Sequence, residues 1–404
     1  DTVAPLTTID SAIDGNKSEI RSGGNTSSNN AIFIFSAKDT GGVENKGVGI
    51  NRFECSIDNS NYVTCTSPLG IKSLSEGLHY LRIFSKDNVG NMRSLPASIN
   101  WTVDTLPPAT SINSAIDGNN KTLDNKDNSS STSITFTITG SDSGGVGVNH
   151  IECSLDGGPF AICKSPIEYS SSNISDGAHI FEARAVDTVG NKDHSPSTFT
   201  WTVDTVPPDA NIDSASDGKR ISIDTGGNTS SNSMTFNFSG IDTGGKEGNG
   251  VGINHFECSL DNSNFTLCIS PVHTVKLTDG PHILDIRAQD NVGNISPSPS
   301  SFPWTVDTKP PTTNIDSATD GTKSTVANDG NTKSTSITFL FSGNDTGVGV
   351  DKFECSLDNS NFTTCTSPVQ SVNLTDGPHV FQIKAQDKVG NAGVSTSSFR
   401  WTVD

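Results

Sequence analysis

Three kinds of chemically capable residue recur at fixed places along the 404 residues. The first is acidic. Asp39, Asp142, Asp242 and Asp345 precede glycine-rich loops, and Asp87, Asp187, Asp290 and Asp387 open an Asp-x-x-Gly-Asn that ends in Asn91, Asn191, Asn294 and Asn391. Asp104, Asp204 and Asp307 are the aspartates of a recurring Val-Asp-Thr, and Asp1-Thr2 opens the chain on the same letters. Carboxylates and amide oxygens are hard ligands, so the set suits calcium before magnesium, provided the fold brings the loops together. Convergence without an ion would cost self-repulsion. The same letters are also good turn formers beside glycine, and recurrence alone does not separate the two readings.

The second kind is cysteine. All eight fall in four identical Cys-x9-Cys spacings, pairing Cys55 with Cys65, Cys153 with Cys163, Cys258 with Cys268 and Cys355 with Cys365. An even count at one repeated position is a disulfide framework made in an oxidising compartment; a zinc site would want Cys-x2-4-Cys or a histidine at ligand spacing. The third kind is histidine, recurring as His79, His179, His282 and His379 after Asp-Gly-x or Glu-Gly-x. No nucleophile or base accompanies these at fixed spacing, so they read as structural and the chain as no enzyme.

These residues belong to one unit written four times, over 1–103, 104–203, 204–306 and 307–404, each closed by Trp-Thr-Val-Asp and the internal ones followed by Thr-x-Pro-Pro. Every tryptophan lies in that motif. Hydrophobic residues are 31% of the chain, so each module has a thin core and needs help to stay folded. A net charge of −19, with no clustered Lys or Arg, argues against nucleic acid. No apolar run is long enough to span a membrane. The chain begins and ends on repeat boundaries without a signal peptide, which reads as a piece of something longer.

The third repeat serves as the type. A short strand at 211–215 and a polar stretch lead to Met234, Phe236 and Phe238, which alternate with polar residues at the period of a half-buried strand. Phe256, Cys258 and Leu260 then point inward with Glu257 and Ser259 outward. A three-residue hairpin loop centred on Asp261-Asn-Ser-Asn264 places Cys258 opposite Cys268. Strands ending at Leu277–His282, carrying Leu284, Ile286 and Ala288, and carrying Phe302, Trp304 and Val306 complete seven. The fold class is all-β: four tandem immunoglobulin-like antiparallel β-sandwich domains in an extended chain. In that order of strands the loops after strands two and six share the pole at which the linker enters. Asp104, Asp142, Asp187 and Asn191, and the equivalent sets, therefore meet there, while Asp217-Gly218 and Asp279-Gly280 lie at the opposite pole.

The motifs Ala-x-Asp-x-x-Gly-Asn, Leu-x-Asp-Gly-x-His and Thr-Val-Asp-Thr-x-Pro-Pro resemble the tandem bacterial or archaeal Ig-like repeats of giant adhesins, biofilm proteins and S-layer or filament proteins, over the whole chain. The resemblance implies an extracellular or cell-surface structural role, with calcium held between domains by Asp104, Asp204 and Asp307 together with Asp187/Asn191, Asp290/Asn294 and Asp387/Asn391. Glu76 departs from the pattern, standing where the other repeats have aspartate before glycine. The leading expectation is a rigid stalk, filament or lattice segment that self-associates; the alternative is an array of carbohydrate- or ligand-binding modules contacting glycans or other surface proteins. Among many Asn-x-Ser/Thr sequons, Asn264 and Asn361 at the hairpin turn are the best placed for glycosylation, because that turn faces solvent.

Overall fold

In the first repeat the thin core is built by alternation. β3 (Ala31–Lys38) buries Ala31, Phe33 and Phe35, β7 (Gly77–Asp87) buries Leu81 and Ile83, and β8 (Ala97–Val103) buries Ile99, Trp101 and Val103. Each hides one face of a pleated strand, the arrangement that two facing sheets require. The remaining strands are β1 (Leu6–Asp14), β2 (Gly24–Thr26), β4 (Ile50–Ile57), β5 (Val63–Cys65) and β6 (Leu69–Ile71). One sheet runs β1-β3-β6 and the other β2-β8-β7-β4-β5. The other three repeats have the same two sheets in the same order.

This computed structural model describes residues 1–41, 47–244, 250–393 and 396–404. All regular secondary structure among them is strand, and no helix there is long and apolar enough to cross a membrane. Gly245 of the Asp242-Thr-Gly-Gly loop lies outside the described residues. The chain forms two compact units, the first containing Asp1–Thr205 and the second the described residues from Val206 to Asp404. Each unit holds two sandwiches.

The structure departs from the sequence reading in three places. Each sandwich has eight strands, the additional one being β2 or its equivalent, two or three residues that pair parallel to the closing Trp-Thr-Val strand. So short and polar a segment has no periodicity to read. Second, the hairpin turn runs over residues 261–265, between strands Ile253–Leu260 and Thr266–Cys268. Cys258 therefore faces Thr266, and Cys268 faces Phe256. The disulfide is diagonal across the hairpin, with Cα atoms 5.8 Å apart, within bridging reach. Third, Ser259 is buried and not outward: its hydroxyl donates to the Ser263 carbonyl at 2.6 Å, and Ser56, Ser154 and Ser356 do the same in their repeats.

The four disulfides join Cys55–Cys65, Cys153–Cys163, Cys258–Cys268 and Cys355–Cys365. Each ties an edge strand to its neighbour within one sheet, so the contact between sheets is left to aromatic packing. Phe236 lies 5.2 Å from Trp304 and 5.4 Å from Phe302, centroid to centroid, a geometry worth roughly 0.5–1.5 kcal/mol per pair beyond burial. Closing a loop this short restricts the unfolded chain by about 2–3 kcal/mol in the chain-entropy account. Replacing both cysteines, Cys258→Ser with Cys268→Ser, should lower the stability of that repeat by about this amount in denaturant unfolding of the full chain; a loss below about 0.5 kcal/mol would show that the bridge is incidental.

Candidate metal centres

Each acidic set is assembled from three segments that the sandwich delivers to one end: the linker, the loop after β3 or its equivalent, and the turn after β7 or its equivalent. The described residues bring Asp1, Asp39 and Asp87 together, then Asp104, Asp142 and Asp187, then Asp307, Asp345 and Asp387, with one oxygen of each within 4.8 Å of the others. Asp204 belongs to the first unit and is fully buried, with its amide donating to the Ser129 carbonyl at 2.9 Å. Asp242 and Asp290 belong to the second unit, where Asp242 Oδ2 accepts from the Gly252 amide at 2.7 Å and Asp290 Oδ1 from the Asn294 amide at 2.8 Å.

Backbone amides hold the carboxylates in place. Asp104 Oδ2 accepts from the Val146 amide at 2.9 Å, Asp142 Oδ2 from Gly147 at 2.7 Å, and Asp187 Oδ1 from Val189 and Asn191 at 2.9 Å each. In the last set Val348 donates to Asp307 Oδ2 at 2.9 Å and Gly349 to Asp345 Oδ2 at 2.6 Å. Glycine is required for this approach. A Cβ on Gly145 would stand 2.3 Å from Asp142 Oδ1 and 2.5 Å from Asp104 Oδ2, and one on Gly347 would stand 2.1 Å from Asp307 Oδ2. None of the ion pairs among the described residues involves these nine aspartates. Among the described residues Asp345 Oδ1 is buried without a hydrogen-bond partner.

The asparagines act through nitrogen. Asn91, Asn191, Asn294 and Asn391 each donate Nδ2 to the aspartate that opens their turn, at 2.7 Å. Asn191 Nδ2 also donates to the Asp104 carbonyl at 2.9 Å, and Asn391 Nδ2 to the Asp307 carbonyl at 2.7 Å. These amides fix the linker backbone and steady the carboxylate. Burial pushes the Asp87 carboxyl up, but the Asn91 side chain and the amides of Asn91, Val89 and Gly90 outweigh it and hold it below the ordinary aspartate value.

A second tie at each junction was not foreseen. The loop carrying Glu76, Asp176 or Asp279 bonds the threonine of Val-Asp-Thr: Glu76 takes the amide of Thr105 at 2.9 Å, Asp176 that of Thr205 at 2.8 Å and Asp279 that of Thr308 at 2.8 Å. Each threonine hydroxyl donates to the same carboxylate. Glu76, the apparent exception in sequence, does the work of its aspartate counterparts. The linker is thus gripped through its threonine by the preceding module, and at Asp104 and Asp307 its aspartate reaches loops of the following one. The recurrence of Asp-Gly-x-His alongside Val-Asp-Thr was the available signal. Asp217, expected beside Asp279 at the opposite pole, is spent on its own turn, accepting from the amides of Lys219 and Ile221 at 2.9 Å each and from the Thr229 hydroxyl at 2.8 Å.

The recurring histidines are not free bases. His179 Nδ1 meets Asp156 Oδ2 at 2.8 Å and its Nε2 meets the Ser175 carbonyl at 2.7 Å, leaving neither nitrogen for a substrate.

No family model and no curated protein matches the chain. Similar solved structures include adhesin regions and cadherin domains. A tetra-tandem repeat in the extending region of a large adhesion protein is 17% identical, covers 99% of each chain and has a TM-score of 0.33. A Ca2+-stabilized adhesin that helps an Antarctic bacterium reach out and bind ice is 14% identical over 100% of each chain, with a TM-score of 0.35. Cadherin domains 1–4 of protocadherin gamma B7 are 11% identical over 87% of this chain and 92% of that one, with a TM-score of 0.35.

Carboxylates held by donors make the modules sensitive to acid. The hydroxyls of Thr322 and Thr332 and the Ser324 amide lower Asp320 from 3.8 to about 2, and the Thr308 amide lowers Asp279. A depressed carboxyl stabilises the fold above its unfolded value, and that contribution disappears as pH falls through the folded one. Stability of the second unit should therefore decline from about pH 4 towards pH 2, less steeply in Asp320→Asn; equal slopes in acid unfolding of wild type and variant would contradict the assignment.

Proposed function

We propose that the chain is a structural segment of an extracellular adhesive surface protein, with disulfide-stapled modules bounded at Asp104, Asp204 and Asp307 and stiffened by calcium at their junctions. The convergence of three aspartates from three segments, with Asp345 Oδ1 left unpartnered, supports this reading most directly. The donor set fits the ion: it is all oxygen, unopposed by cations, and packed against glycines whose missing Cβ leaves the space. Asp104, Asp142 and Asp187 would hold one ion and Asp307, Asp345 and Asp387 another, with Asp1, Asp39 and Asp87 offering the same set. Bound calcium supplies positive charge that relieves carboxylate repulsion and locks the linker to the module that follows.

The proline pairs after each internal Val-Asp-Thr add stiffness of their own. Exposed Val63, Ile162 and Leu267 on the disulfide-bearing edge strands favour lateral self-association into a filament or lattice. Asn264 and Asn361 are exposed in their turns, where a glycan would be accommodated.

Calcium in excess should raise the melting temperature of the full chain over that in chelator, by the equivalent of roughly 2.7 kcal/mol per site at a hundredfold excess over Kd. Asp345→Asn and Gly347→Ala should each remove the part of this gain that belongs to the last junction. Identical melting curves with calcium and with chelator would remove the ion from the account and leave plain modules on a string.

One observation favours a glycan-binding role for the first repeat. In the other three repeats the ring beside the hairpin is covered by a cation: Arg184 lies 4.0 Å from the Phe160 centroid, Arg287 4.2 Å from Phe265 and Lys384 4.6 Å from Phe362. In the first repeat Phe84 stands in the cation's place and packs 5.1 Å from Tyr62, Arg82 lies 5.8 Å from the Tyr80 centroid, and Tyr62 and Tyr80 are 41% and 37% exposed. Exposed rings with hydroxyls are a platform for a sugar face. Tyr62→Ala with Tyr80→Ala should abolish retention on a neutral-glycan array without changing the melting curve; no retention by the wild type would dismiss the role.

A further inference from the structure

The histidine after each Asp-Gly-x or Glu-Gly-x is enclosed by acceptors. His282 Nδ1 lies 2.8 Å from Asp261 Oδ2 and Nε2 2.7 Å from the Thr278 carbonyl; His379 Nδ1 lies 2.8 Å from Asp358 Oδ2 and Nε2 2.7 Å from the Thr375 carbonyl. A carbonyl oxygen only accepts, so Nε2 must carry a proton. A carboxylate also accepts, so Nδ1 is best served by a second one. The ring with both protons is the imidazolium. Its third neighbour suits a cation as well: His282 stacks on Trp304 at 5.5 Å and 29°, and His379 on Trp401 at 5.3 Å and 27°, placing positive charge over an indole face.

We propose that His282 and His379 are carried as imidazolium ions at neutral pH, and that each acts as an alkali-sensitive latch binding the disulfide hairpin to the tryptophan core of its module.

The latch spans three elements. Asp261 and Asp358 sit in the hairpin turns at φ of 54° and 51° and also accept the amides of Ile283 and Val380 through Oδ1, at 3.0 and 2.9 Å. The loop before the histidine strand contributes the carbonyl, and the closing strand contributes the indole. Asp376 stands three residues before His379, as Asp279 does before His282. Asp279 and Lys309 pair with each other at 3.2 Å beside the linker. Asp329 and Arg400, of opposite sign, line an open groove of about 490 Å³ over His379; Gly226 and Pro303 hold the corresponding positions near His282 and bring no charge.

Burial opposes charging of both rings, but the Thr278 or Thr375 carbonyl and then the Asp261 or Asp358 carboxylate outweigh it, leaving each histidine above 6.5. A histidine raised in the folded state contributes fully below its unfolded value near 6.5, and its contribution is lost as pH rises through the folded value. The histidine contribution to the second unit is therefore complete in mildly acidic solution, below about pH 6.5, and declines as pH rises from there.

Two measurements on the full chain test this. Long-range ¹H–¹⁵N spectra of histidine-labelled protein, assigned with His282→Gln and His379→Gln, should show both nitrogens of His282 and His379 protonated at pH 7 and deprotonating only at higher pH. Signals of a singly protonated ring at pH 7 would overturn the proposal without any variant having to fold. Denaturant unfolding in chelator, which keeps calcium out of the comparison, should show the folding equilibrium constant of the second unit falling between pH 6.5 and 9, by about tenfold for each unit by which a histidine is raised. Asp261→Asn with Asp358→Asn should flatten that fall; a wild-type profile already flat over the range would equally overturn it.

Discussion

The packing of one tryptophan against one histidine, held in turn by one hairpin aspartate, is the contact on which each module depends. Cores this small leave little margin, since folded domains are marginal even when large. The indoles of Trp101, Trp304 and Trp401 are fully buried with Nε1 unsatisfied, a cost accepted at the centre of three repeats. The return is a ring that contacts phenylalanine on one side and imidazole on the other, so that a strand, a loop and a disulfide hairpin share one support. The disulfide acts on the same hairpin from the edge of the core, where Cys258 is buried and Cys268 packs against it. Sulfur constrains the unfolded chain, while the aspartate–histidine contact is made only in the folded one.

The junctions repeat that economy of parts. The four residues Trp-Thr-Val-Asp close one core and then deliver a carboxylate towards the next module, so core packing and junction geometry cannot vary independently. Threonine is gripped by a loop of the preceding sandwich and aspartate by amides of the following one, as at Thr105 and Asp104. Asparagine, by donating to both the linker carbonyl and the turn aspartate, sets the distance between them. The linker is thereby constrained from both sides.

Much of this was legible in the sequence, for physical reasons. Period-two alternation exposed the buried faces, because Phe236 and Trp304 are large and their strand neighbours polar. The acidic sets were legible because connectivity decides which loops share a pole. What failed was local geometry. The segment at 228–229 pairs with the closing strand through backbone alone, and no pattern of Asn-Thr announces that. The turn after Leu260 is longer than its letters suggest, because its aspartate looks like any turn former until its carboxylate is found on His282. Ser259 alternates as an outward residue, yet its hydroxyl is needed beneath the turn. In each case a polar atom satisfies a backbone group, and hydrophobic periodicity carries no record of such bonds.

The central claim is that the aspartate sets are metal centres and not merely good turns. A crystal structure of the full chain grown in calcium, with anomalous scattering recorded at long wavelength, decides it most directly. An anomalous peak bounded by oxygens of Asp104, Asp142 and Asp187, and another at Asp307, Asp345 and Asp387 in contact with Asp345 Oδ1, is the predicted result. Water at those positions, with the carboxylates turned apart in saturating calcium, would contradict it.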